Sequence, residues 1–233
     1  KTKQDFSTYL DNTDTDEDFG KYTNSQKLLL KNPDPNRFEQ LLSVSQRPII
    51  LVGKCPDQTY FKSIREFAIR HTIPIYADIL SHHSGDNSPL IKCANSINIK
   101  DADLILSIGD KFSDTSILND LASFSGPFIQ LHFYHNLYNP TSRDGDFWYD
   151  PDLSSLTLLT CTADRSVDWL ADVENKNKVT PGFDEQVAVD SICSHLTNNN
   201  LIFAANSLSV RLLNRCSTLS QSIETYSNRG ASG

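Results

Sequence analysis

Two short stretches late in the chain combine residue types that hold anions. ANSLSVRLLN (205–214) sets Asn206 and Ser207 ahead of Arg211, and YSNRGASG (226–233) sets Arg229 between an asparagine and a run of small residues. A guanidinium presents a planar fork of N–H donors that matches a carboxylate or a phosphate. Ser207, read as the N-cap of a helix, would bring helix-start N–H groups beside that charge. Gly230 and Gly233 let backbone approach a ligand closely. Taken singly, each feature has a plainer role: Ser207 as a cap, Arg211 as a solvated helix residue, Gly-Ala-Ser-Gly as a tight turn. Their convergence is what points to a site for carboxylates or a diphosphate. It requires that the strands ending near 205 and 227 run parallel, because ligands in open parallel sheets bind at the carboxyl ends of the strands.

Other constellations fall short of their chemistry. DNTDTDED (11–18) offers Asp14, Asp16 and Asp18, but the glycine comes one place late at Gly20 and Ser25 stands where an EF-hand closes with Glu. The run reads as a solvated acidic loop. His82, His83 and Cys93 match no zinc-ligand spacing. The turn VGKCPDQ (52–58) has a single glycine, whereas a dinucleotide fingerprint needs three. The five cysteines, at 55, 93, 161, 193 and 216, form no C-x-x-C pair and fit buried thiols in a reducing compartment.

These residues must be positioned by a core, and the chain of 233 residues, 38% hydrophobic, can supply one. Its net charge of -8 argues against a general nucleic-acid binder. No apolar run approaches the roughly 20 residues of a membrane span. The opening KTKQDF is not a signal peptide, and the absence of any Met, even at position 1, reads as an excerpt of a longer protein.

The periodicity predicts two α/β units. Residues 1–45 read as a polar connector, broken by Asn32-Pro33-Asp34-Pro35, with a short helix at Phe38–Leu42. A first unit over 46–175 alternates apolar runs at 47–53, 73–79, 102–109, 127–133 and 156–161 with helical segments. One such helix carries Phe61, Ile64, Phe67 and Ala68 on a single face, and another lies around Val167, Trp169 and Leu170. The succession implies a Rossmann-like parallel sheet covered on both faces. ENKNKVTPG (174–182) ends in Pro-Gly, and 176–182 reads as a linker. The second unit, 183–233, opens with a helix over 184–196 whose core stripe is Val187, Ile192 and Leu196; strands at 201–207 and 222–227 flank a helix at 208–217.

Asn-Ser-x-x-x-Arg followed by Asn-Arg-Gly-Ala-Ser-Gly closely resembles the 2-succinyl-5-enolpyruvyl-6-hydroxy-3-cyclohexene-1-carboxylate synthases, the MenD family of thiamine-diphosphate enzymes. The resemblance covers about 36–233 and is strongest at 201–233; RPIILVG and IPIYADILS look more loosely like the start of the family's central domain. It implies a central domain followed by the beginning of a diphosphate-binding domain. It implies thiamine diphosphate with Mg²⁺ or Mn²⁺, decarboxylation of 2-oxoglutarate, and conjugate addition to isochorismate in menaquinone or phylloquinone synthesis. Ser207, Arg211 and Arg229 would hold substrate, and Asn206, Ser232 and Gly233 would lie near the cofactor. A homodimer or homotetramer in a bacterial cytoplasm, or in a plastid, would be expected.

The resemblance also implies that key parts lie outside this stretch. The carboxylate that activates the aminopyrimidine belongs to a preceding domain, and the Gly-Asp-Gly metal motif to a following segment, so no catalytic residue or metal ligand is expected among these residues and the stretch alone should be inactive. One departure bears on the acceptor: IGDKFSDTSILN (108–119) sets Thr115 where many members carry a substrate-reaching lysine, with Lys111 four residues earlier. Another thiamine-diphosphate carboligase with a different acceptor, a non-catalytic homologue, and a plain Rossmann-like binding module are the alternatives.

Overall fold

The computed structural model describes residues 30–82, 91–92, 99–109, 111–113, 115–135, 139, 141, 143–159, 169, 184–197, 200–205, 208–216 and 223–227. Helix α1 (Pro35–Val44) starts where Asp34 accepts the Arg37 N–H at 3.0 Å and Pro35 presets the first turn. It is longer than the expected 38–42, and Phe38 and Leu42 on its inner face are buried in the main core. Strand β1 (Pro48–Val52) follows, wholly buried. Helix α2 (Gln58–His71) is capped by Asp57, which accepts the Thr59 N–H, and ends at Thr72 in the left-handed conformation. The expected stripe Phe61, Ile64, Phe67 and Ala68 is its buried face.

Strands β2 (Ile75–Ala77), β3 (Ile91–Lys92), β4 (Leu104–Ile108), β5 (Phe128–His132) and β6 (Asp146–Tyr149) complete a six-stranded sheet in the order β3-β2-β1-β4-β5-β6. Every pairing is parallel. This is the doubly wound, Rossmann-like order, with its switch point between β1 and β4. Alternate side chains feed two cores, as strand geometry requires. Ile50 and Val52 join α1 and α2 on one face, while Ile49 and Leu51 join Ile117 and Leu121 of α3 (Thr115–Ser123) on the other. Trp169 pins that second face by donating its indole N–H to the Pro48 carbonyl at 3.0 Å.

Residues 156–161, expected as a strand, are not one where described. Helix α4 (Ser154–Leu158) occupies the start of that run, and the sixth strand is DFWY. Local polar chemistry decides against apolar content here. Asp150 accepts the Ser155 N–H at 3.1 Å and Asp152 accepts the Ser154 N–H at 3.1 Å, so two carboxylates start a helix turn. Lys31 extends the β6 edge, donating to Phe147 and accepting from Tyr149.

The second unit holds α5 (Asp184–Ser194), β7 (Leu201–Ala204), α6 (Leu208–Asn214) and β8 (Glu224–Ser227). Helix α5 corrects the expected stripe. Val187 and Ile192 are 61% and 63% exposed, and Gln186 and Cys193 face inward instead. Gln186 is held there by hydrogen bonds to Asp190 and to the Leu212 carbonyl of α6. Among the described residues, no helix is long and apolar enough to cross a membrane.

Candidate functional site

The carboxyl edge of the large sheet is where a ligand of this fold would bind. At the switch point that edge is filled by the chain itself. The Gly53 N–H donates to Ile108 O at 2.9 Å, and the Lys54 N–H donates to Lys111 O at 2.8 Å. A Cβ on Gly53 would lie 2.6 Å from Lys111 O, and one on Gly109 would lie 2.5 Å from Lys54 O. Gly109 also has φ +90°, a backbone state that favours glycine. The loops after β1 and β4 therefore rest on each other where a dinucleotide's pyrophosphate would lie. Among the described residues, the single-glycine turn packs directly on the loop of Lys111.

The same edge instead meets the second unit. Asp78 directly follows β2 and is fully buried. Its carboxylate accepts the Leu80 N–H at 3.0 Å, the Ser113 N–H at 2.6 Å and the Ser113 hydroxyl at 2.7 Å. It thus ties the 3-10 turn Ile79–Ser81 to the loop that carries Lys111. Ile79 and Leu80 pack against Ala204 and Val210 of the second unit. The Ile79 N–H donates to Asn214 Oδ1 at 2.7 Å.

His82 closes this turn in the left-handed conformation and meets the Tyr226 ring edge-on, 5.9 Å between centroids. Burial pushes its pKa down, against the upward pull of Asp57 and Glu224; Lys54 adds to the depression. Tyr226 donates its hydroxyl to Glu224 at 3.1 Å, and that bond raises its own pKa. On α5, the thiol of Cys193 is pushed up to about 12, first by burial and then by its hydrogen bond with Cys216.

Strands β7 and β8 are parallel, with Ala204 opposite Ser227. The condition set by the sequence is met: the chain leaves both strands at one edge. Arg211 lies on α6 directly after β7, half-buried, and its Nε is buried without a hydrogen-bond partner among the described residues. An acceptor oxygen would satisfy it. Asn206, Ser207, Arg229, Ser232 and Gly233 lie outside the described residues, as do His83 and Cys93. Thr115 is the first residue of α3, and Lys111 sits in the preceding loop. No group of three metal-ligating side chains occurs among the described residues.

Sequence reasoning overlooked Asp78 and Asn214. A signal existed for the first: an aspartate at the carboxyl end of a buried parallel strand, in IPIYADI. Asn214 carried none, since an asparagine at a helix end ordinarily reads as a solvated stop. No protein-family model matches the chain, and no curated protein matches it.

Proposed function

We propose that this chain is part of a thiamine-diphosphate-dependent carboligase of the MenD type. It would decarboxylate 2-oxoglutarate and join the succinyl unit to isochorismate. The supporting observation is the parallel register of β7 and β8, which sends the two motif-bearing segments off the same sheet edge. The second unit also has the character of a larger α/β domain's first strands. Leu201, Phe203 and Tyr226 on one face of the two-stranded sheet are 59%, 65% and 41% exposed, whereas parallel sheets are stable when covered on both faces.

The reaction breaks the bond between the keto carbon and its carboxylate. CO₂ leaves, a carbon–carbon bond forms to the ring of isochorismate, and one proton is taken up. Bound thiamine diphosphate supplies the electron sink for loss of CO₂. The residues of this chain bind and orient. Arg211 and Arg229 pair with substrate carboxylates, and Ser207 donates a hydrogen bond to the same groups. The Nε of Arg211, buried without a hydrogen-bond partner among the described residues, supports an anionic ligand. Asn206, Ser232 and Gly233 would approach the cofactor, whose Mg²⁺ or Mn²⁺ would be held by residues outside this stretch.

A second reading, a carboligase with another acceptor, follows from Thr115 opening α3 with Lys111 in the loop before it. A plain Rossmann-like binding module would account for the large sheet but gives the Asn-Ser-x-x-x-Arg and Asn-Arg-Gly-Ala-Ser-Gly pair no role. The test uses the full-length protein with thiamine diphosphate, Mg²⁺, 2-oxoglutarate and isochorismate, with Arg229→Ala as control. Loss of isochorismate absorbance that needs 2-oxoglutarate and collapses in the control supports the synthase. Decarboxylation with isochorismate intact moves the acceptor, and no turnover of either refutes the proposal.

A further inference from the structure

Two buried polar contacts meet at the 3-10 turn Ile79–Ser81. Towards the large sheet, Asp78 binds Ser113 in the loop of Lys111. Towards the second unit, the Ile79 N–H donates to Asn214 Oδ1 at 2.7 Å, across 135 positions of sequence. Asn214 is 3% exposed and ends α6, about one turn after Arg211. Helix α6 has only 7 residues, too few to hold a position by helical propensity alone. Around it the contact is small: Ile79 and Leu80 against Ala204, Val210 and Leu213, with the His82 ring edge-on to Tyr226. Apolar packing of that size is non-directional, so it permits sliding. A buried hydrogen bond does not, because leaving it unmade is costly.

We infer that Asn214 is a positioning residue: its carboxamide seats α6 on the 3-10 turn and thereby sets where the Arg211 guanidinium stands relative to the Lys111 loop. The functional consequence rests on the reading of Arg211 as a substrate-binding residue; the seating itself does not. Asp78 holds the other end of the same bracket. The Lys111 loop and the candidate substrate cation Arg211 are then referenced to one turn of backbone rather than to each other.

The test uses the full-length protein and three variants. Asn214→Leu keeps the volume and removes the acceptor, Asn214→Ala removes it with less bulk should leucine not fit, and Asn214→Asp retains it. Amide exchange at Ile79 and the rate of phenylglyoxal labelling at Arg211 are read by mass spectrometry, beside KM and kcat for 2-oxoglutarate. The leucine or alanine variant should expose the Ile79 amide to exchange roughly tenfold to a hundredfold faster. Arg211 labelling should change with it, and KM should rise while kcat moves less. The aspartate variant should restore all of these. Unchanged Ile79 exchange, or restored exchange without restored Arg211 labelling, overturns the inference. Were the wild-type protein to turn over neither substrate, the proposed function would fall, and exchange and labelling would still decide the seating of α6.

Discussion

Asp78→Ala should be among the most damaging single changes in the described chain. The carboxylate is fully buried and accepts from the Leu80 N–H, the Ser113 N–H and the Ser113 hydroxyl at 3.0, 2.6 and 2.7 Å. Alanine would leave three buried donors unpaired. Each hydrogen bond to a charged acceptor contributes about 1.5–3 kcal/mol, and part of the loss is recovered where the loop relaxes or admits water. A net loss of roughly 3–5 kcal/mol follows, a large share of the ~5–15 kcal/mol of an ordinary domain. Asp78→Asn keeps one acceptor oxygen but turns an NH₂ on a donor, so it should cost less than alanine yet well above zero. The assay is urea unfolding followed by far-UV circular dichroism, with the midpoint read at constant slope. The control is Asp57→Asn, at a solvent-facing helix cap, which should move the midpoint far less than either Asp78 variant. A loss below about 1 kcal/mol for Asp78→Ala would refute the reasoning, because it would mean the three donors find other partners at no cost.

Gly109→Ala should destabilise by roughly 1–3 kcal/mol from its positive φ alone, with more from the contact of its Cβ with Lys54 O, and thermal unfolding would measure it. His82 has its pKa depressed by burial, so the unfolded chain binds the proton more readily than the folded one. The stability this contributes is fully present above about pH 6.5 and is lost as pH falls through the lower folded value. His82→Gln should flatten that acid limb in urea midpoints measured across pH 5 to 7. Cys193, with its thiol pushed up to about 12 and buried against Cys216, should resist Ellman's reagent at pH 8 until the chain is unfolded; rapid labelling of the folded protein would contradict the burial.

The large sheet was legible because parallel strands buried on both faces write themselves as unbroken apolar runs. RPIILVG, ADLILSIG and PFIQLHF became β1, β4 and β5 in place. The same rule misread 156–161, where the leucines of LTLL obscured the carboxylates just upstream. Asp150 and Asp152 tie Ser154 and Ser155 by hydrogen bonds that hydropathy does not register. It also passed over DFWY, four residues too short for a periodicity, whose place in the sheet is plain only once Trp148 is seen buried against Phe38. On α5, apolar spacing put Val187 and Ile192 inside, yet Gln186 is buried because Asp190 and the Leu212 carbonyl satisfy its amide.

By itself the sequence determined the α/β class, the absence of a glycine-rich dinucleotide turn, and the two motif stretches that nominate an anion site. These depend on local residue types and periodicity, which a linear string carries in full. Only the tertiary structure decided that β7 and β8 run parallel, that the loops of Gly53 and Gly109 close the switch point on each other, and that Asp78 and Asn214 bracket one turn between the two units. The physical reason is range. A hydrogen bond across 135 positions, or a backbone contact between two distant loops, exists only once both partners have been brought together by burial elsewhere.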